Sequence, residues 1–175
     1  MTLREFKENI SPTIDELHRK ILGWARDQPV VICGGQAHNF YMEDENDVRY
    51  TADVDFLVET NPINYAQNLK SLLAKEYPDN DFFVESLSDD MARVAVIRGG
   101  TLPLFIADFI LSSITGSGSP RCVSLDVLIQ MKEEAEKNRR GTPRGYQDMA
   151  DLMRLRKVAE ARKARGGENG ITTFD

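Results

Sequence analysis

Two apolar stretches follow one another early in the chain: Val30-Val31-Ile32-Cys33-Gly34-Gly35-Gln36-Ala37 and then Arg49-Tyr50-Thr51-Ala52-Asp53-Val54-Asp55-Phe56-Leu57-Val58. The first is typical of a short β-branched strand that two glycines interrupt before a helix. The second is typical of a strand that carries two aspartates at its start. An apolar core has no use for two carboxylates, so this pattern directs attention to chemistry.

The composition is that of a globular chain without a membrane segment. Of 175 residues, 41% are hydrophobic and 29% charged, which favours one domain, or one domain with a helical appendage. No apolar run approaches the roughly 18 residues of a membrane helix, and the N-terminus lacks the apolar core of a signal peptide. The expected compartment is the cytoplasm. Two cysteines and two histidines exclude a disulfide framework and a zinc-type spacing.

Charge is unevenly distributed along the chain. The net charge is -6, yet residues 121–165 carry 12 Lys/Arg against 7 Asp/Glu. Such a basic segment is either a solvated helix face or the surface for an anionic partner. If a partner exists, RNA is mildly favoured, because phosphate contacts supply affinity without sequence preference.

Hydrophobic periodicity predicts alternating helices and strands. The order indicates an α/β (α+β) protein with a mixed sheet flanked by helices and with C-terminal helices. We expect a core over residues 1–120 with an N-terminal helix, a helical segment over 121–165 packed on it, and a disordered tail over 166–175. The predicted helices are 12–26 (Ser11 as N-cap, Pro12 first), 36–43, 62–75, 124–138 and 144–165, and the strands are 29–33, 53–59, 82–85, 92–97 and 104–111, with a turn at 99–101.

Asp53 and Asp55 lie two residues apart, so a strand would place both on one face. Their Cα atoms would then be about 6 to 7 Å apart, close enough to share a hard divalent cation. Repulsion between them would favour protonation of one carboxyl group unless a cation were present. The competing interpretation is that these are ordinary turn residues at a strand start.

Asp108 stands within the apolar run Leu104–Leu111. An unpaired carboxylate there would cost several kcal/mol, so it requires a partner. The partner is either a structural Arg or Lys, or a metal ion that Asp108 shares with Asp53 and Asp55.

Lys132 continues the apolar stripe of Leu125, Leu128 and Ile129 on a predicted helix. Either its ammonium group extends from the end of the stripe to solvent, or it points to a phosphate.

The order of these motifs resembles the nucleotidyltransferase superfamily that shares the DNA polymerase β palm. Within it, the chain is similar, over about residues 29–157, to bacterial nucleotidyltransferase-like proteins, a group that includes the toxins of abortive-infection type IV toxin-antitoxin systems. The motifs that carry this likeness are Gly34-Gly35-Gln36-Ala37, Arg49-x-Thr51-x-Asp53-x-Asp55-Phe56-Leu57-Val58, Met131-Lys132 and Arg144-x-x-x-Asp148-x-x-Asp151-Leu152-x-x-Leu155. The chain departs from the pattern at Gln147, where relatives commonly have Lys.

The resemblance implies roles for the residues that match it. Asp53 and Asp55 would hold two Mg²⁺ ions, and Asp108 would ligate the catalytic ion and take a proton from the acceptor hydroxyl. The backbone amides of Gly34 and Gly35 would approach the triphosphate of the nucleotide.

Four further residues belong to the implied nucleotide site. Lys132 would pair with the β and γ phosphates, and Arg144 lies in the matching C-terminal motif. Arg49 and Thr51 would either fix the loop or touch the nucleotide, while a solvated Arg in a turn is an equal alternative for Arg49. We predict a structural role for His38.

The implied activity is Mg²⁺-dependent transfer of a nucleoside monophosphate from a nucleoside triphosphate to a hydroxyl on an RNA end, a protein or a small molecule. The site would bind two ions and the triphosphate, and an antitoxin or a second subunit could supply the acceptor surface. Two alternatives remain: a phosphotransferase on the same site, or a non-catalytic nucleotide-binding or interaction module.

Overall fold

The computed structural model describes residues 12–97 and 102–166. Within them the sheet is five-stranded and mixed, and helices accompany it, which confirms the predicted fold class. In chain order the elements are α1 (Ile14–Ala25), β1 (Val30–Cys33), α2 (Gly34–Tyr41), a 3-10 turn (Glu45–Asp47), β2 (Val54–Val58), α3 (Pro62–Glu76), β3 (Asp81–Ser88), β4 (Met91–Ile97), β5 (Leu104–Leu111), α4 (Leu125–Arg139) and α5 (Pro143–Ala164).

The start of α1 differs from the prediction. Thr13 is the N-cap, and its side chain accepts a hydrogen bond from the Glu16 backbone N–H while the Glu16 carboxylate accepts one from the Thr13 N–H. This reciprocal capping box satisfies two orphan donors, so the helix begins at Ile14 and not at Pro12. Ser11 lies outside the described residues.

The start of α2 also differs. The prediction placed the two glycines before the helix, whereas the structure has them in its first turn, beginning at Gly34. Gly34 adopts a φ of +64°, which favours glycine because it has no Cβ. The chain can therefore turn directly from β1 into α2.

Clustering of contacts divides the chain into two compact units. The first contains the described residues up to Val30 together with Ala52–Ser113, and the second contains Val31–Thr51 and the chain from Ile114 onward. The predicted division near residue 120 stays a prediction.

The first unit contains the strand order β2-β5-β4-β3. β2 is parallel to β5, while β4 is antiparallel to both β5 and β3. On one face, the rings of Phe56 and Phe109 stack at 5.2 Å between centroids, and Trp24 of α1 packs edge-on against both. These aromatic contacts fix β2 and β5 on one face of the sheet. The backbone that carries the residues of the opposite face is therefore held in place.

The second unit is built around β1, α2, α4 and α5. Ile32 exchanges backbone hydrogen bonds with the chain just before α4, donating to Arg121 O at 2.8 Å and accepting from Val123 N at 3.0 Å. The buried Tyr41 hydroxyl donates to Val123 O at 2.6 Å. Leu128 of α4 and Leu155 of α5 are fully buried in this unit.

Two predictions fall on undescribed residues, namely the turn at 99–101 and the tail beyond residue 166. Among the described helices, none combines the length and the apolar character needed to cross a membrane.

Candidate active site

Three carboxylates converge on one face of the first unit's sheet. In the parallel pairing of β2 with β5, Asp55 is the direct partner of Asp108. Asp53 precedes β2 and lies two residues before Asp55, so it is on the same side. One carboxylate oxygen of each residue lies within 4.8 Å of the others. The structure therefore brings together Asp53, Asp55 and Asp108, which we call the acidic triad.

The alternation of β2 explains why the triad faces away from the core. Val54 and Phe56 are fully buried on the other face, whereas Asp53 and Asp55 are half-buried. Asp108 is only 6% exposed, while its neighbours Ala107 and Phe109 are fully buried. Because strand side chains alternate faces, burying the apolar residues forces the carboxylates to the outer face.

Arg93 of β4 is the direct partner of Asp108. Its Nε donates to Asp108 Oδ1 at 3.1 Å and its Nη2 donates to Oδ2 at 2.9 Å. Asp108 therefore has a structural Arg as the partner that the sequence required. The metal ion shared with Asp53 and Asp55 stays a prediction, which the place of Asp108 in the triad allows.

The charge state of Asp108 reflects a balance. Burial raises the pKa of Asp108 above its ordinary value, and the hydrogen bonds and charge of Arg93 oppose that shift. The negative charges of Asp53 and Glu85 raise the same pKa further by repulsion. A cation beside the triad would relieve this repulsion.

The triad fits a hard divalent cation in its donor chemistry. Carboxylate oxygens are the ligands that Mg²⁺ prefers, and three of them converge here. Arg93 donates one hydrogen bond to each Asp108 carboxylate oxygen, and each of these oxygens has a further lone pair that can bind an ion. The Asp108 carboxylate can therefore accept from Arg93 and ligate an ion at once.

Lys132 lies in a buried charge cluster of the second unit. Its ammonium donates to Asp148 Oδ1 at 2.9 Å and forms an ion pair with Asp151 Oδ2 at 2.8 Å. Arg139 Nη1 donates to the other oxygen of Asp148 at 3.1 Å. Lys132 is 7% exposed, so it does not extend to solvent at the end of its stripe. Its charge is matched by two carboxylates of α5.

Arg49 joins the same cluster, since its Nε lies 3.1 Å from Asp151 Oδ2. Thr51 is buried, and its hydroxyl accepts a hydrogen bond from Gln36 Nε2 at 2.8 Å. A Cβ on Gly35 would lie 2.5 Å from Thr51 Cγ2 and 2.8 Å from Arg49 Nη2. The glycine thus permits the Arg49–Thr51 segment to pack against α2, which supports the loop-fixing alternative for these two residues.

His38 and Arg144 complete the predicted set. His38 is fully buried, with Nδ1 at 3.2 Å from Asn39 Oδ1 and Nε2 at 3.7 Å from Asp151 Oδ1. Burial lowers the pKa of His38, and the nearby charge of Asp151 opposes that shift in part. These contacts suit the structural role that the sequence predicted. Arg144 is exposed in the first turn of α5.

Two residues of these clusters, Arg93 and Arg139, escaped sequence reasoning. Arg93 lies within the run Ala92-Arg93-Val94-Ala95-Val96, where a charged residue in an apolar strand was a usable signal. Arg139 gave no such signal, because charged residues on helices are commonplace.

Solved structures share this fold. The Megavirus polyadenylate synthase matches 86% of this chain with a TM-score of 0.65 at 16% identity, and this chain spans about a third (33%) of its length. A putative nucleotidyltransferase from H. pylori matches 92% of this chain, covering 72% of its own, with a TM-score of 0.58 at 19% identity. No protein-family model and no curated protein sequence matches the chain.

The chain therefore has the nucleotidyltransferase-type fold that its motifs predicted. At these identities the likeness establishes the fold, and activity must be argued from the site.

Proposed function

We propose that this protein is a Mg²⁺-dependent nucleotidyltransferase that moves a nucleoside monophosphate from a nucleoside triphosphate to an acceptor hydroxyl. The observation that carries the proposal is the alignment of Asp55 with Asp108 on parallel strands, with Asp53 beside them. Three converging carboxylates are costly in a folded protein unless a cation uses them. Their place in a nucleotidyltransferase-type fold makes nucleotide chemistry the best account of that cation.

In this proposal Asp53, Asp55 and Asp108 would hold the Mg²⁺ ions. Bound Mg²⁺ would polarise the α-phosphate and stabilise the charge of the leaving pyrophosphate. The acceptor oxygen forms a bond to the α-phosphorus as the bond from that phosphorus to the β-phosphate oxygen breaks. The Asp108 carboxylate receives the proton of the acceptor hydroxyl, which keeps the reaction balanced.

Further residues belong to the proposed nucleotide contacts. The N–H groups at the start of α2, including those of Gly34 and Gly35, are donors suited to phosphate oxygens. Arg144 is exposed and can meet an anion directly. The other three proposed residues already have partners in the structure. Arg49 pairs with Asp151, Thr51 accepts from Gln36, and Lys132 donates to Asp148. Any contact that they make to a phosphate would compete with these partners.

The acceptor is an RNA end, a protein or a small molecule, and the basic composition of residues 121–165 favours RNA. An antitoxin or a second subunit could complete the acceptor surface. We place the activity in the cytoplasm.

One observation favours a second candidate. Because Arg93 satisfies Asp108 without a metal, the pairing is also compatible with a nucleotide-binding or interaction module that does not turn over. A phosphotransferase on the same site remains the other alternative.

Label transfer tests these candidates. Purified protein is incubated with Mg²⁺ and each nucleoside triphosphate, labelled at the α or the γ position, together with total RNA and protein. Transfer of the α label that Asp53→Ala abolishes supports nucleotidyl transfer, and transfer of the γ label supports the phosphotransferase. Binding of nucleotide and Mg²⁺ without movement of either label favours the module. A suitable control variant is Lys20→Gln, which removes an exposed ion pair with Glu76 outside residues 121–165.

A further inference from the structure

Arg93 grips Asp108 in a way that fixes the plane of the carboxylate. Two parallel hydrogen bonds of 3.1 and 2.9 Å join the guanidinium edge to both carboxylate oxygens. A bidentate contact of this kind restricts rotation of the carboxylate, which a single bond does not. With the contact made, an Asp108 oxygen still lies within 4.8 Å of oxygens on Asp53 and Asp55. The grip and the triad are therefore compatible.

A β-bulge in β5 places an aromatic ring against the flat face of the Arg93 guanidinium group. Val94 pairs with Ala107 but Ala95 pairs with Phe105, so Ile106 is an extra residue on β5. An extra residue reverses the alternation of the strand, which puts Phe105 on the same face as Asp108. The Arg93 guanidinium carbon lies 4.4 Å from the centroid of the Phe105 ring. This stacking holds Arg93 in place while its edge faces Asp108.

The triad creates the need for such a support. Asp55 and Asp53 repel the Asp108 carboxylate, and free rotation of its side chain would let it turn away from them. Carboxylates that ligate metals are commonly oriented by hydrogen bonds from neighbouring groups.

We propose that Arg93, backed by Phe105, is a positioning residue that orients the Asp108 carboxylate toward the cation shared with Asp53 and Asp55. This inference rests on the proposed function, because it assumes that the triad binds a divalent cation. A competing possibility is that Arg93 occupies Asp108 in place of a cation. The two possibilities predict opposite changes in metal affinity when Arg93 is replaced. Loss of a positioning residue weakens metal binding, whereas loss of a competitor strengthens it.

A titration with Mn²⁺ measures the direction of this change in affinity and does not require turnover. Free Mn²⁺ is titrated by electron paramagnetic resonance against the full chain, as wild type, Arg93→Gln, Arg93→Lys and Phe105→Leu. We expect Arg93→Gln to weaken Mn²⁺ binding by about 10- to 100-fold, the range found when a residue that hydrogen-bonds a metal ligand is removed. Arg93→Lys should restore little of this loss, since an ammonium cannot form the bidentate contact. Phe105→Leu leaves both hydrogen-bonding groups and should weaken binding in the same direction by a smaller factor.

Arg140→Gln is the matched control. Arg140 makes the same kind of bidentate contact, with Glu136 at 3.0 and 3.0 Å, but at the C-terminal end of α4 and not at the triad. This variant should bind Mn²⁺ as the wild type does. Thermal unfolding of each variant shows whether it is folded, and if Arg93→Gln does not fold, the comparison of Phe105→Leu with wild type decides.

The outcomes separate this inference from the proposed function. If the wild type binds Mn²⁺ and transfers the α label, but binding is unchanged or tighter in Arg93→Gln, only the positioning role is overturned. If the wild type binds no Mn²⁺, the metal site fails and both proposals fall. Where turnover is measurable, a positioning role also predicts a fall in kcat with little change in the KM for the triphosphate.

Discussion

Asp55 and Asp108 lie opposite each other on neighbouring parallel strands, although they are far apart in sequence. The same row of the sheet continues through Arg93 to Glu85, each the direct partner of the next. Along this row Arg93 lies between the acids Glu85 and Asp108, whereas Asp108 and Asp55 are two acids side by side. That adjacency brings the carboxylates of the triad together.

Mg²⁺ should stabilise the wild-type protein, and Asp53→Asn should abolish most of that effect. At ten times its dissociation constant, a ligand that binds only the folded state adds about 1.4 kcal/mol to the free energy of unfolding. Without metal, Asp53→Asn should unfold at a slightly higher temperature than wild type, because one repulsive charge is gone. Thermal unfolding with and without Mg²⁺ measures both effects. An equal response to Mg²⁺ in the two proteins would place the ion elsewhere.

Lys132→Met should destabilise the protein strongly. The substitution keeps the apolar length of the side chain but leaves Asp148 and Asp151 facing each other without the ammonium between them. Removing one partner from a buried ion pair typically costs about 3–5 kcal/mol. Urea unfolding gives the free energy. Arg156→Gln, at an exposed pair with Glu133, should change it by less than about 1 kcal/mol.

A small loss in Lys132→Met would contradict this view of the cluster. It would mean that Arg49 and Arg139 neutralise the two carboxylates without Lys132, which would free the lysine for phosphate binding.

Stability should fall as the pH is lowered through the range in which histidine titrates. Burial holds the pKa of His38 in the folded protein below its ordinary value of 6.5, against the partial opposition of Asp151. Below that pH the unfolded chain binds a proton that the folded protein does not, so the free energy of unfolding decreases with a slope of up to about 1.4 kcal/mol per pH unit.

Urea unfolding of wild type and His38→Gln between pH 7.5 and 5.5 measures this slope. The variant should have a shallower slope even if its stability at neutral pH is lower. Arg156→Gln should keep the wild-type slope, and an identical slope in His38→Gln would exclude His38 as the titrating group.

Two glycines should respond in opposite directions to alanine. A Cβ on Gly35 meets Thr51 and Arg49 at 2.5 and 2.8 Å, so Gly35→Ala should cost about 1–3 kcal/mol through overpacking. Gly23 on α1 has no heavy atom within 4 Å of such a Cβ, so Gly23→Ala should stabilise the helix by about 0.8–1 kcal/mol. Urea unfolding of both variants checks the contrast. A neutral Gly35→Ala would show that the Arg49–Thr51 segment moves easily.

The sequence alone was informative wherever the signal is local. The apolar run Leu104–Leu111 predicted β5 to the residue. The Asp-x-Asp spacing placed two carboxylates on one face, because a strand has a period of two. Helix ends were less accurate, since Thr13 and Gly34 take cap positions through contacts that periodicity does not reveal.

Only the tertiary structure decided the partners of the charged residues. The pairing of Asp55 with Asp108, the extra residue Ile106 and the grip of Arg93 depend on strand register, and register is set by packing and hydrogen bonding across the whole sheet. Lys132 was recognised as a lysine on an apolar stripe, but the two carboxylates that face it come from another helix. The sequence by itself thus determined the approximate strands, the fold class and the pair of Asp53 and Asp55, whose spacing is local. The structure decided which basic side chain pairs with each carboxylate, because these pairs join residues that are distant in the chain.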